Sequence, residues 1–253
     1  MALGNGVLVH GPDHWACAVR DEDGTLQLAS GRKPVLLPGI RSPFVRGLAR
    51  VAEGLAVVPA AGRALPAAQV PYRNRRMLAV FGVGWLLSRA MRSTPLSPLK
   101  RELLLASTSI VPLAVVLRGS SVAAYHGAEH VTIGSWEHGE PRGRVHERCG
   151  SHLAVPIVAS TALGNALAGR LARTREGAMI GRSIAAGAAV GLSIEAFGWM
   201  LRNRERPLAK LLASPGSWLQ RHFLTSDPSA SQIEVAQAAL EECLRLEEAP
   251  ESS

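Results

Sequence analysis

Charged residues and aromatic residues are both scarce in this sequence. Aspartate, glutamate, lysine and arginine make up only 19% of its 253 residues, against roughly 25% in ordinary soluble domains. Aromatic side chains add 4%, although 47% of the residues are hydrophobic. This composition excludes a disordered chain and a collagen. It leaves a compact α-rich soluble protein or a membrane protein whose helices are rich in small residues.

Cysteine is also scarce. Cys17, Cys149 and Cys243 are odd in number and far apart in the sequence, which excludes a secreted domain held together by disulfides. The motifs of nucleotide-binding proteins and serine hydrolases are missing as well, since the chain contains no Gly-x-Gly-x-x-Gly after a strand, no phosphate-binding loop and no Gly-x-Ser-x-Gly. Free thiols in a reducing compartment fit the sequence, and so does a thiolate that binds a metal ion.

Acidic residues are concentrated at one end of the chain. Residues 229–253 hold six acidic residues and one basic residue, which leaves 27 basic and 14 acidic residues in 1–228, a net charge of +13. The basic residues stand in short groups between apolar runs. This placement is typical of loops beside an anionic bilayer. Membrane lipids are therefore the expected partner, and no nucleic acid is expected.

Apolar patterning, prolines and turn signals divide the chain into four segments. Short apolar runs around an Asp-Gly turn predict strands first, and apolar spacings of three and four then predict helices. The predicted fold is mainly α, a multi-pass α-helical membrane protein with a small N-terminal β-hairpin. The predicted segments are a β-hairpin unit in 1–42, an amphipathic helix and linker in 43–76, a helical membrane domain in 77–202 with a metal-binding loop at 118–152, and a C-terminal cytoplasmic helical segment in 203–253.

Four apolar runs carry the membrane prediction. Runs 153–169 and 183–201 have 17 and 19 residues, close to the roughly 20 that a bilayer crossing needs. Runs 77–88 and 103–117 are shorter and qualify only if flanking lysines and arginines extend to the membrane surface. The distribution of basic residues predicts a multi-pass protein of the cell membrane with both termini and the 118–152 loop in the cytoplasm.

Histidine is concentrated in the middle of the chain. His126 and His130 are four residues apart, so they share one face of a helix with Glu129. The order His-x-x-Glu-His is that of the inverted zincins, in which the histidines bind zinc and the glutamate is the general base. His146 and Cys149 form a second pair, and two such pairs separated by a loop assemble many zinc sites. The four residues predict a divalent metal site for zinc, with iron as the alternative.

The number of ligands determines what such a metal can do. Four protein ligands make a closed structural site, whereas three leave a position for water, with Glu129 as proton shuttle. In the alternative without a metal, the histidines lie solvated beside lipid headgroups. Glu195 is a second predicted catalytic residue, a buried carboxylate near the site, because a charge within an apolar helix is costly. Glu53 is expected to be partly solvated, and Glu137 to orient a ligating imidazole.

Several motifs resemble one bacterial family. The stretches YHGAEH, WEHGE and HERCGS are similar to the signature of the YqhQ-like proteins of the DUF1385 family, and the likeness extends over nearly the whole chain. Glu147 stands where that signature has a proline. The resemblance implies a multi-pass membrane protein and a metal-dependent enzyme.

We therefore expect a metal-dependent membrane enzyme, a hydrolase acting on a membrane-associated substrate. A non-enzymatic membrane scaffold or accessory protein with a structural metal is the alternative, and a soluble all-α protein without metal is the third reading. A second copy of the chain in a homo-oligomer is a further candidate partner. An open coordination position separates the first reading from the second.

Overall fold

The computed structural model describes residues 1–36, 43–70, 73–92, 94–171 and 174–249. Within these ranges the chain is mainly α-helical and begins with a small antiparallel sheet, as the sequence predicts. The strands are β1 (Gly6–His10), β2 (His14–Arg20) and β3 (Leu26–Arg32). The helices are α1 (Pro43–Ala64), α2 (Arg75–Arg92), α3 (Pro98–Leu117), α4 (Ser121–His138), α5 (Ala154–Leu171), α6 (Arg175–Arg202), α7 (Pro207–Leu219) and α8 (Ala230–Glu248), with a 3₁₀ turn at Gly150–Leu153 and a π-helical turn at Gln220–Leu224.

The sheet has the order β1-β2-β3 and contains one strand more than the predicted hairpin. In its register Leu8 lies opposite Cys17, and Cys17 lies opposite Ala29. The predicted Asp-Gly turn joins β2 to β3, and Gly24 adopts a φ of 81° there. A left-handed residue at this position is easiest for glycine, which has no Cβ to clash with the backbone.

Both faces of the sheet are covered, because side chains alternate between the two sides along each strand. One face packs against α4 and α8, and the other packs against α1 and the segment that follows it. The first core contains Val7, Val9, Ala16 and Ala18 of the sheet with Tyr125, Ala128, Val235, Ala236, Ala239, Leu240 and Cys243. The second contains Leu8, Trp15, Cys17 and Val19 with Val57, Ala61, Leu65, Ala68 and Val70.

The apolar spacing predicts a helix that ends at about Ala60, but α1 continues through Pro59 to Ala64, and the linker starts after it. Residues 71–72 of that linker lie outside the described residues. The position of Pro59 in the middle of the helix explains the difference. A proline removes one backbone hydrogen bond but does not end a helix whose face is held by tertiary packing.

The other helices pack in pairs through small residues. Helix α2 lies against α3, where the Ser88 and Thr108 hydroxyls are 2.9 Å apart. Helix α5 lies against α6 so closely that a Cβ added to Gly164 would be 2.8 Å from the Cβ of Ala185. Contacts between small residues of this kind are common where helices meet inside membranes.

Among the described residues, two stretches are long and apolar enough to cross a bilayer. Gly150–Ala168 overlaps the predicted run 153–169, and Met179–Arg202 contains the predicted run 183–201. Length and composition alone support this assignment. The number of membrane crossings and the cytoplasmic placement of the termini stay predictions.

The C-terminal segment differs from its prediction in two respects. It contains α7, which the sequence analysis did not identify, ahead of the expected amphipathic helix α8. The spacing of Ser231 and Glu234 in the sequence predicts a capping box, but the capping box of α8 is formed by Ser229 and Gln232. Both serines suit an N-cap, and only the packing of α8 on the sheet decides between them.

Candidate metal centre

Helix α4 carries the centre of the candidate site. The Ser120 side chain accepts a hydrogen bond from the backbone N–H of Ala123 at the start of the helix, and Gly139 ends it in a left-handed conformation with φ 67°. His126, Glu129 and His130 therefore lie on consecutive turns of one regular helix. The predicted metal-binding loop is thus a helix through its first half, and only its second half is a loop.

Both histidines of α4 are oriented by backbone carbonyl groups. The Nδ1 of His126 donates to the carbonyl oxygen of Leu224 over 2.9 Å, and the Nδ1 of His130 donates to that of Arg144 over 2.8 Å. Because a carbonyl oxygen only accepts, each ring keeps a proton on Nδ1. Nε2 is then the nitrogen that donates a second proton towards the Cys149 thiolate in the metal-free protein, and once that proton is lost Nε2 keeps a free lone pair. This is the state in which an imidazole binds a metal ion.

Cys149 completes a group of three candidate ligands. Its Sγ lies 3.6 Å from the Nε2 of His126. One ligand atom from each of His126, His130 and Cys149 lies within 4.8 Å of the other two. His130 is 4% exposed, and the other two are half-buried. The spacing of these residues in sequence predicted that they would meet, and the structure brings them together.

Charge interactions within the group favour a thiolate. Burial raises the pKa of the Cys149 thiol, but hydrogen bonds from His126 and His130 outweigh this and lower it to about 5. Burial lowers the pKa of His126, and its contacts with Cys149 and Glu129 raise it by more. A thiolate and two imidazoles form a donor set that suits zinc and other borderline metal ions.

Glu129 lies next to the three ligands. Burial raises its pKa, and the positive charges of the Met1 nitrogen, His126 and His130 lower it by more. One carboxylate oxygen, Oε1, accepts a hydrogen bond from the Met1 nitrogen over 2.5 Å. The other, Oε2, is buried without a hydrogen-bond partner among the described residues. A buried oxygen of this kind usually has a water, an ion or a substrate as its partner.

His146 lies beside the group without joining it. Its ring centroid is 5.4 Å from that of His130, but its Nε2 is 3.1 Å from the Oε2 of Glu137. Glu137 also accepts a hydrogen bond from Arg148 over 2.8 Å. Glu137 thus contacts an imidazole, as predicted. The structure pairs the His146 ring with a carboxylate and does not include it in the ligand group. The role of His146 as a fourth ligand stays a prediction.

A buried glutamine holds the second half of the loop in place. Gln220 is fully buried. Its Oε1 accepts from the backbone N–H of His146 over 2.8 Å, and its Nε2 donates to the Ser151 hydroxyl over 2.8 Å. Arg144 adds a second connection, since its guanidinium donates to the carbonyl oxygen of Thr225 over 2.7 Å. These contacts position the peptide on both sides of Cys149.

Gly127 allows the chain after the π-helical turn to approach α4. The backbone N–H of Ser226 donates to the carbonyl oxygen of Ala123 over 2.9 Å. A Cβ on Gly127 would clash with the carbonyl oxygen of Ser226. Only a glycine at this position lets Leu224 come close enough to accept from His126. This requirement could not be predicted from the sequence, because Leu224 lies 98 residues downstream of His126.

Two carboxylates behave differently from their predictions. Glu195 is exposed on α6, so its predicted burial is wrong, and α6 packs mainly against α5, α1 and α7 rather than against α4. The residues around Glu195 are apolar, but an apolar run does not indicate which face of its helix packs against other helices. Glu53 is buried rather than partly solvated, and its Oε1 accepts from the backbone N–H of Leu36 over 3.0 Å.

Two further histidines of the same stretch lie outside the ligand group. His138 is exposed at the end of α4, as predicted, and its Nδ1 donates to the carbonyl oxygen of Gly134 over 2.9 Å. His152, at the start of the apolar run that follows Cys149, is buried. Its Nδ1 donates to the carbonyl oxygen of Ala213 in α7 over 3.0 Å. His152 thereby joins α7 to the turn that follows Cys149, a contact that the sequence did not indicate.

Comparison with known proteins points to one family. The family described as "Protein of unknown function (DUF1385)" matches residues 110–246, which include all of the candidate ligands. The chain is 27% identical over 296 aligned positions to "Uncharacterized protein YqhQ" of Bacillus subtilis (strain 168), covering 97% of this chain and 92% of that protein. No solved structure matches the chain significantly. Since the match extends over more than half of the sequence, the chain belongs to the DUF1385 family.

Proposed function

We propose that this protein is a metal-dependent membrane hydrolase in which His126, His130 and Cys149 bind the metal ion. One observation carries the proposal: two imidazoles, each with its Nδ1 donating to a backbone carbonyl, lie with a low-pKa thiol within 4.8 Å of one another. Catalytic zinc sites have three protein ligands and one open position, whereas structural sites have four. The group has three members among the described residues, which favours the first class.

Glu129 has the position that a proton shuttle requires. When bound, a zinc ion would lower the pKa of a coordinated water to about 7. The Oε2 of Glu129 is buried beside the ligand group and accepts no hydrogen bond from the described residues. It would therefore be placed to accept a proton from a metal-bound water and to pass that proton to the leaving group, while the oxygen of that water bonds to the substrate. Glu195 has no part in this proposal.

The substrate is proposed to be membrane-associated. Gly150–Ala168, one of the two candidate spans, begins immediately after Cys149. A chain that crosses a bilayer there places its metal ligands at the level of the lipid headgroups. Small water-soluble substrates have no such reason to be processed beside a bilayer.

Metal content tests the ligand set. Protein purified in detergent without chelator should contain about one zinc or iron ion per chain by elemental mass spectrometry. His126→Ala and Cys149→Ala should lose it, because each removes one of three ligands. His138→Ala is the matched control, since this exposed histidine on the same helix lies outside the group. Equal metal content in all four proteins, or none in any, would overturn the proposal.

Cobalt substitution separates the hydrolase from the alternative scaffold. The cobalt-loaded protein should show a thiolate-to-metal band and a d–d spectrum that shifts when azide binds at the open position. The proximity of His146 to His130 favours the alternative, a closed site with four ligands. In that case azide would leave the spectrum unchanged, and His146→Ala would alter it. Glu129→Gln should keep the cobalt spectrum, because this residue is not proposed as a ligand.

A further inference from the structure

Helix α7 has two faces of different character. One face is buried and contains Ala209 and Gly216, followed by Gln220 one turn later. The opposite face contains apolar side chains at spacings of three and seven, which places them on one side of the helix. These are Leu208, Leu211 and Trp218, which are 55%, 67% and 49% exposed.

The exposed face of α7 lies next to a candidate membrane span. The span Met179–Arg202 ends five residues before α7 begins at Pro207. Residues 202–210 contain four basic residues and one acidic residue, and Arg204, Arg206 and Lys210 are exposed. A helix with an apolar face, a tryptophan and flanking basic residues is typical of the interface of an anionic bilayer. The basic charge and the position beside a candidate span thus both indicate an anionic lipid surface as the partner of this face.

The buried face of α7 contacts the segment around Cys149. The Nδ1 of His152 donates to the carbonyl oxygen of Ala213 over 3.0 Å, and a Cβ on Gly216 would be 2.5 Å from that same nitrogen. The π-helical turn then continues directly from α7 and supplies the carbonyl oxygen that orients His126. A shift of α7 therefore alters the surroundings of two ligands at once.

We propose that α7 lies on an anionic phospholipid surface, with its Leu208, Leu211 and Trp218 face among the lipid headgroups, and that this contact stabilises the assembled metal centre. The inference rests on the proposed metal site and adds a regulator to it. Without anionic lipid, α7 is held only by its buried face and is freer to move. The site then binds metal less tightly, because the groups that orient ligating imidazoles typically change metal affinity about 10- to 100-fold.

The first experiment locates Trp218. The full chain is reconstituted in vesicles of phosphatidylcholine with phosphatidylglycerol, in which the acyl chains are brominated near the headgroup. Bromine quenches nearby tryptophan fluorescence. The difference between wild type and Trp218→Phe gives the contribution of this one residue. We expect that contribution to be quenched, and an unquenched Trp218 would overturn the placement.

The second experiment measures the coupling. Zinc affinity is determined by chelator competition in vesicles of phosphatidylcholine alone and in vesicles that also contain phosphatidylglycerol. Wild type should bind zinc about 10-fold or more tightly in the anionic vesicles. Leu208→Gln/Leu211→Gln should lose this difference. Leu28→Gln/Val35→Gln, which also replaces two exposed apolar side chains but away from α7, is the matched control and should keep it.

The outcomes distinguish the two proposals. Absence of bound zinc from every protein in every vesicle would overturn the proposed function together with its regulation. Zinc bound equally in both lipid mixtures by wild type would leave the metal site intact and overturn only the regulatory inference. A lipid effect that persists in the Leu208→Gln/Leu211→Gln variant would assign the effect to another surface and would also overturn the inference.

Discussion

The protonated nitrogen of each histidine ring is fixed by a single carbonyl group. The acceptors for His126 and His130 are the carbonyl oxygens of Leu224 and Arg144. Both acceptors belong to segments outside α4, and neither depends on the identity of its own side chain. A substitution at Leu224 acts on the site only through the position of the backbone, whereas one at Arg144 also removes the guanidinium that donates to the carbonyl oxygen of Thr225. The ligands themselves are the residues at which side-chain chemistry is essential.

The pKa of the Cys149 thiol can be measured directly. Its pKa of about 5 means that the thiolate fraction rises as the pH increases through that value and is nearly complete at neutral pH. In metal-free protein, the rate of alkylation by iodoacetamide should be half-maximal near pH 5 rather than near about 8.5, the value of an ordinary cysteine. Mass spectrometry of the labelled peptide follows the reaction.

Two comparisons make this prediction specific. Burial raises the pKa of Cys17 to about 12 and also raises that of Cys243, so labelling below neutral pH should be confined to Cys149. His126→Ala removes a hydrogen-bond donor to the thiolate and should move the midpoint to higher pH. A midpoint near that of ordinary cysteine in both proteins would contradict the arrangement.

The sequence predicted the residues of the site better than their partners. The spacing of His126 and His130 follows from helical periodicity, and Cys149 from the spacing of paired zinc ligands. The carbonyl acceptors and the exposure of Glu195 could not be predicted in this way. Both depend on which segments distant in sequence pack against a given helix face, and a single sequence carries no direct record of such contacts.

At the scale of elements, the junction between α7 and the π-helical turn supports the candidate metal centre. Gln220→Ala removes the acceptor for the buried N–H of His146 and the donor to Ser151. Leaving a buried backbone donor without a partner costs about 1–3 kcal/mol of the free energy of unfolding. Zinc affinity should also fall about 10- to 100-fold, because the segment that holds Cys149 is loosened.

Chelator competition and thermal unfolding measure the two effects of Gln220→Ala. Gln237→Ala is the matched control, since Gln237 is exposed on α8. It should change neither the zinc affinity nor the melting temperature appreciably. Unchanged zinc affinity in Gln220→Ala would mean that the loop after α4 holds its shape without this side chain.

The elements that the sequence predicted correctly are those with a strong apolar period. Helices α2, α3, α5 and α6 coincide with the four apolar runs, and the strands coincide with the short runs around the Asp-Gly turn. Helix α7, which the sequence did not predict, contains two prolines, Pro207 and Pro215. Pro207 occupies the first turn, where its missing N–H has no partner to lose. Pro215 lies inside the helix, which the packing of the buried face maintains.

At the scale of the whole molecule, large apolar side chains cover much of the outer helical surface. Exposed examples occur on α2, α5 and α6, where soluble proteins present polar residues. They include Phe81, Trp85, Leu86, Leu163, Leu167, Ile180, Ile184 and Leu192. The candidate spans belong to this surface, and only 17% and 22% of their residues are buried within the protein. A core helix of a soluble protein would be mostly buried.

Membrane fractionation tests this surface. After an alkaline carbonate wash, which releases peripheral proteins, the chain should stay in the membrane pellet. The reason is that transfer of its exposed apolar helices from lipid to water is unfavourable. A cytosolic marker enzyme in the supernatant serves as the control. Recovery of the chain in the supernatant would support the soluble all-α reading and would also remove the basis for a membrane-associated substrate.

The way in which the sheet is covered bears on the order of events during synthesis. Glu247 accepts hydrogen bonds from the backbone N–H groups of Asp13 and His14, 234 and 233 residues earlier in the chain. The ribosome therefore makes the strands long before α8, and Val7 and Val9 lack the cover of α8 while the intervening helices are made. An uncovered apolar sheet is a target for chaperones and proteases. Leu224, whose carbonyl group orients His126, precedes α8 in the chain, so every part of the candidate ligand group has been made before α8 covers this face of the sheet.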